Sequence, residues 1–214
     1  MRQSLARVNR FLDAPLDVAP RLLLVVAFLC LIPTYFAPLY KMTMFAPQYS
    51  DGLRLDIYSY KLVGGNHGQD VKEINVLNHY IGMKDLVTED FTEFKWLPFV
   101  IGIFGLLFLR AAVLGKLAHL VDVLVLYVYF GMFALWSFGY KMYVYGHTLA
   151  PTAAVKVPPF MPPMFGYKQL ANFEVYSYPQ AASYALALST LLLFTAFVFA
   201  WRQQDRRTGS QESR

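Results

Sequence analysis

Four stretches of this chain are long and apolar enough to cross a bilayer, and they restrict the fold more than any other feature. They fall at about residues 20–40, 97–114, 117–140 and 182–201. A crossing helix needs about 20 predominantly apolar residues. Lipid offers no hydrogen-bond partner to a backbone, and none of these runs alternates as a barrel strand does, so helix is the conformation left to them. Only 15% of the residues are charged, where a soluble chain carries about 25%. The expected fold is an all-α membrane protein with four transmembrane helices. Outside the spans it carries a small outer, periplasmic cap made of a short strand or hairpin, a helix and a Pro-rich arm.

Charge gives the threading. The N-terminal tail carries Arg2, Arg7, Arg10 and Arg21. The tight link between spans two and three carries Arg110 and Lys116, and the C-terminal tail carries Arg202, Arg206, Arg207 and Arg214. Segment 41–96 holds six Lys/Arg against eight Asp/Glu. Basic residues stay on the cytoplasmic side. The chain therefore divides into a cytoplasmic tail at 1–19, a four-span domain at 20–201 and a cytoplasmic tail at 202–214. Its outer segments are 41–96 and 141–181. This is the pattern of a multi-pass protein of a bacterial inner membrane. Leu5, Val8, Phe11 and Leu12 among the first arginines suit either a short amphipathic helix at the inner leaflet or a partly ordered tail. The net charge of +5 reflects this threading; no basic face interleaved with aromatics points to nucleic acid. Cys30, the only cysteine, excludes an internal disulfide and a thiolate metal cluster. The first run is too long for a signal peptide and lacks a small-residue cleavage site, so it reads as retained.

Between spans one and two, Leu53, Leu55 and Ile57 alternate with Arg54, Asp56 and Tyr58, a strand pattern. Residues 63–68 are a turn-rich loop. A helix is expected over 71–83, with Asp70 as N-cap and Glu73 three residues on. Ile74, Leu77 and Ile81 give it an apolar side. In the second outer segment, prolines 151, 158, 159, 162 and 163 rule out helix and central strand, leaving a stiff extended arm.

Three constellations could carry chemistry. On a helix running to residue 83, Asn75, His79 and Met83 share one face. His147 in the other outer loop could oppose them, and Met161 and Met164 in the arm add thioethers. Imidazole and thioether together suit copper, Cu(I) above all, so His79, Met83 and His147 are the candidate metal ligands. The competing reading makes His79 a structural pin under the arm. Second, Arg110 and Asp122 lie at similar depth in adjacent spans. A charge in a span must be compensated, which predicts an ion pair between them, with His119 nearby. Third, the aromatics of span three suit packing, or contact with lipid, quinone or pigment. Haem held within this chain is disfavoured, since only His119 lies near a span. No nucleophile–base pair, phosphate loop or zinc-protease motif is present, which argues against an enzyme.

The runs Glu73–Met83, Gly146–Pro151 and Lys156–Pro163 resemble a group of small four-helix bacterial membrane proteins encoded beside nitrous-oxide reductase and its copper-maturation proteins. The likeness covers about residues 20–201. It implies a non-enzymatic accessory role: assembly of, copper supply to, or electron flow to a periplasmic copper or respiratory enzyme, with membrane or periplasmic subunits as partners. Two alternatives stand beside it. One is a structural subunit of a larger electron-transfer or photosynthetic complex. The other is a transporter, which the lack of midplane polar residues makes the weaker choice.

Overall fold

A computed structural model describes residues 9, 11–170 and 173–212, with side chains described as far as residue 206. Most of the expected N-terminal amphipathic helix, including Arg2, Leu5, Arg7, Val8 and Arg10, lies outside the described residues, as do Arg214 and the side chain of Arg207. Among the described residues, four helical stretches are long and apolar enough to span a membrane: Val18–Tyr35, Glu93–Leu114, Leu117–His147 and Ala181–Arg206. This fits a multi-pass membrane protein.

The fold is not all-α. It is mixed α/β, with a five-stranded antiparallel sheet in the order β3-β2-β1-β5-β4. The elements in sequence are α1 (Val18–Leu29), β1 (Tyr40–Ala46), β2 (Tyr49–Ile57), β3 (Leu62–Gly64), α2 (Gln69–Tyr80), α3 (Glu93–Leu114), α4 (Leu117–His147), β4 (Gly166–Leu170), β5 (Phe173–Pro179) and α5 (Ala181–Glu212). Only β2 was legible as a strand. The first span also ends sooner than the apolar run suggests. The α-helix stops at Leu29, and Ile32–Tyr35 form a 3₁₀ turn containing Pro33. Tyr40, expected at the end of a helix, is the first residue of β1.

The chain forms two compact units. The first comprises residues 1–32, 99–131 and 185–214. Leu24, Ala27, Phe108, Leu120, Leu193 and Ala196 are buried in it. Small residues let helices approach closely in membranes. Here Ser189 Oγ donates to the Ala27 carbonyl at 3.0 Å. Phe104 and Phe108 meet Tyr127 edge-on at 5.1 and 5.2 Å, so these aromatics of spans two and three serve packing. The segment before α1 is pinned to the α3–α4 link: Leu16 N donates to Gly115 O (2.7 Å) and Leu117 N to Ala14 O (3.0 Å). Gly115 sits at φ +60°, and a Cβ there would strike the Arg21 guanidinium.

The second unit comprises residues 33–98 and 132–184. The sheet is its centre. β1 lies between β2 and β5, with Met42 opposite both Leu55 and Ser177. Alternate residues of each strand point one way. One face therefore gathers Met42, Ala46, Leu53, Leu55 and Val175 into an apolar cluster, closed by Ile74 and Leu77 of α2 and by Met142 of α4. Ile74 is fully buried, and Leu77 and Ile81 nearly so, as the apolar side of the helix requires. The Asp70 carboxylate is buried, accepting from Arg54 N at 2.8 Å and from Asn66 Nδ2 at 2.7 Å. It is not the expected N-cap, which is Gly68 at φ +90°. Asp70 instead ties the first turn of α2 to β2.

A second tie is the hydrogen bond from the Tyr49 hydroxyl to Glu73. That bond, aided by Gln69, holds the Glu73 carboxyl below the usual carboxylate range, and it raises the Tyr49 phenol above its ordinary value. Glu73 thus adds stability above its unfolded-state pKa of about 4.3, and the contribution fades as pH falls through the lower folded value. Tyr49→Phe should return the Glu73 titration toward the ordinary range. A carboxylate NMR titration at pH about 2–6 checks this; an unchanged Glu73 midpoint would contradict it.

Candidate functional site

The stretch Asp70–Met83 is built differently from its sequence expectation. α2 ends at Tyr80 and does not reach Met83. Gly82 adopts φ +77°. Met83 N reaches back to Asn78 O (2.8 Å) and Gly82 N to His79 O (3.2 Å). These are the paired 6→1 and 5→2 bonds of a Schellman motif, in which a left-handed glycine stops the helix. Met83 therefore turns off the helical face that carries His79. Asn75 is also committed elsewhere: its Oδ1 accepts from Leu86 N at 2.7 Å, and its Nδ2 donates to Leu86 O at 3.4 Å. It clips the following segment to the helix.

The exposed side of α2 is formed by Lys72, Val76, His79 and Tyr80, spaced i, i+4, i+7, i+8. Val76 is 54% and Tyr80 56% exposed, opposite the buried Ile74, Leu77 and Ile81. Among the described residues, the His79 ring has no hydrogen-bond or ionic partner, so it is not a pin beneath the arm. Val76 and Tyr80 escaped the sequence reading. The available signal was an apolar residue and an aromatic at i, i+4 on the side of the helix that needs neither for its core.

The Pro-rich arm reaches the end of α2 by backbone contacts. Ala150 N donates to Gly82 O at 2.8 Å and Val155 N to Tyr80 O at 2.9 Å, and the second bond satisfies a carbonyl that the helix end leaves unpaired. Farther along, Phe160 N donates to Gly146 O at 3.0 Å. A Cβ on Gly146 would lie 1.8 Å from the Phe160 carbonyl oxygen, and one on Gly139 would lie 3.0 Å from Met164 Sδ. Two glycines one heptad apart thus leave a track along α4 in which the arm lies.

His147 belongs to the last turn of α4, not to an outer loop. Its ring stacks on Tyr143, with centroids 3.8 Å apart, and Nδ1 lies 2.9 Å from the Tyr143 carbonyl. A carbonyl only accepts, so the proton sits on Nδ1 and Nε2 is the ring atom left to ligate. Met161 and Met164 pack, with Met44, against the sheet cluster that contains Met42 and Met142. The thioethers thus fill apolar space, the ordinary use of methionine. Among the described residues, no group of three or more His, Cys, Asp or Glu side chains could hold a metal ion.

Arg110, His119 and Asp122 do converge. They line one open groove of about 430 Å³ with Leu107, Ala111, Val123, Val125 and Leu126. The expected Arg110–Asp122 ion pair is not formed. Both side chains are exposed, and neither has an ionic partner among the described residues.

No known protein family, curated protein or solved structure matches this chain.

Proposed function

We propose that this chain is a non-enzymatic integral membrane accessory protein for a periplasmic copper or respiratory enzyme. Both termini are cytoplasmic in a bacterial inner membrane, and the sheet unit stands on the periplasmic side. The observation that carries this reading is the exposed face of α2. A helix fixed to a sheet by Asp70, Glu73 and Ile74 turns Val76, His79 and Tyr80 outward on a rigid support. Exposed aromatic and apolar groups on such a support suit protein recognition. Of the three accessory roles, assembly of the partner fits better than copper supply. The arm methionines are packed in the sheet cluster, and Met83 leaves the His79 face. His79, Met83 and His147 remain the residues through which copper would be handled, His147 by its free Nε2. A permanent structural subunit of a larger electron-transfer complex is the second reading. It is favoured by the exposed Tyr129, Met132, Trp136 and Tyr140 on α4.

The test is gentle detergent purification of the tagged full-length protein, with identification of bound subunits and measurement of metal content. The expected result is a periplasmic enzyme recovered with the chain and lost when Val76 and Tyr80 are both changed to serine. The cells carrying that variant should also hold less of the assembled enzyme. Copper retained by the wild type and lost from His79→Ala/His147→Ala would shift the reading to copper supply. A stoichiometric multi-subunit membrane particle, indifferent to the α2 changes, would establish the second reading instead.

A further inference from the structure

The unpaired charges of the α3–α4 groove have a chemical complement. We infer that this groove binds one zwitterionic aminophospholipid. Arg110 would hold the phosphate and Asp122 the ammonium. The inference rests on α3 and α4 crossing a bilayer, and not on the accessory role.

Both groups stand at headgroup depth. Arg110 stands four residues before the end of α3 at Leu114, and Asp122 five residues after the start of α4 at Leu117. At about 1.5 Å per residue, both lie about 6–8 Å along their helices from the link. That is within reach of the headgroup layer for a long side chain. Neighbouring charges are used internally, and these two are not. Lys116 Nζ pairs with Asp13 at 3.2 Å, and Arg21 Nε donates to Leu16 O at 3.1 Å. Arg110 and Asp122 line the same groove with opposite charges and do not close on each other. A charge held near hydrocarbon without compensation is costly, and such residues mark ligand sites.

The lining also suits a lipid. Leu107, Val123, Val125 and Leu126 give the groove an aliphatic wall beside its two charged groups. An acyl chain needs such a wall, and a soluble anion does not. Basic pockets between spans on the cytoplasmic side are a known form of headgroup site. The carboxylate distinguishes this one. An anionic headgroup would meet Asp122 as a like charge. A choline headgroup offers no N–H to it. An ethanolamine ammonium both neutralises it and donates hydrogen bonds.

The experiment places the full-length protein in nanodiscs of phosphatidylcholine doped with phosphatidylethanolamine or phosphatidylglycerol. Lipids retained after transfer to detergent are counted by native mass spectrometry. The expected wild-type result is retention of phosphatidylethanolamine over both other lipids by about fivefold, the scale of one charge contact near a membrane surface. Asp122→Asn should abolish that preference, whereas Arg110→Gln should lower retention of all three phospholipids. The wild-type comparison needs no variant, so a poorly folding mutant leaves the test intact. Equal retention of the three lipids by the wild type would overturn the inference. So would a preference for phosphatidylglycerol, or recovery of a quinone in place of phospholipid.

Discussion

Changing Gly146 to alanine should unseat the Pro-rich arm. The added carbon would sit 1.8 Å from the Phe160 carbonyl oxygen. That contact is with backbone, so no side-chain rotation relieves it. Either the arm leaves α4, breaking the Phe160–Gly146 hydrogen bond, or α4 distorts. Overpacking of this kind costs about 1–3 kcal/mol. The arm contains one exposed basic residue, Lys156, which makes the outcome easy to read. Trypsin should cut after Lys156 several times faster in the variant, while the four helices stay intact. Gly139→Ala is the graded control. Its new carbon would meet only the mobile Met164 sulfur at 3.0 Å, which can shift, so its cleavage rate should stay close to wild type. Equal cleavage of Gly146→Ala and wild type would show that the arm is not held in this track.

Ile74→Ala should be the most damaging single truncation in the sheet unit. Ile74 is fully buried where α2 packs on the sheet against β2. Shortening a buried aliphatic side chain to alanine costs about 2–5 kcal/mol, depending on how far the site collapses. The α2 helix has little apolar reserve, because besides Ile74 only Leu77 and the partly buried Val71 pack from it against the sheet cluster. Hydrogen exchange in detergent should show the amides of α2 and β2 losing protection together, with those of α1, α3 and α5 unaffected. Val76→Ala, two residues on and on the exposed side, should change stability by less than about 0.5 kcal/mol. If both variants lost protection equally, the assignment of inner and outer faces of α2 would be wrong.

The sequence carried the parts of this fold that repeat locally. The four apolar runs, the inner side of α2, the strand at Leu53–Ile57 and the proline arm each announce themselves within one continuous stretch of chain. The sheet does not. Lys41-Met-Thr-Met-Phe-Ala46 opens the first outer segment directly after an apolar run and carries no strand expectation, though it is the central strand. Tyr167–Leu170 and Phe173–Tyr178 carry an alternation, Val175 and Ser177 inward and Tyr176 and Tyr178 outward. It is obscured because tyrosine suits a strand face and a membrane boundary equally. Strand partners far apart in sequence leave no local signature. The candidate site was half legible. His79 is exposed as the His/Met face required, but one glycine at positive φ removed Met83 from that face. Periodicity alone cannot predict where a helix stops. Arg110 and Asp122 were brought to one groove as depth predicted, without closing into a pair.

The neighbour relation of β1 and β5 sets an order of events during synthesis. β1 is made as soon as the first span is complete, yet one of its two edges stays open until Phe173–Pro179 has been translated. The second and third spans and the whole arm come between. Until then the nascent chain carries an unsatisfied strand edge, the kind of surface that pairs wrongly. The last strand to arrive leads straight into the last span, and Gln180 N and the Ser183 hydroxyl bond back to Leu39 O at 2.8 and 2.7 Å. Closure of the sheet and delivery of the fourth helix are therefore one step. A chain truncated before residue 173 would lack both.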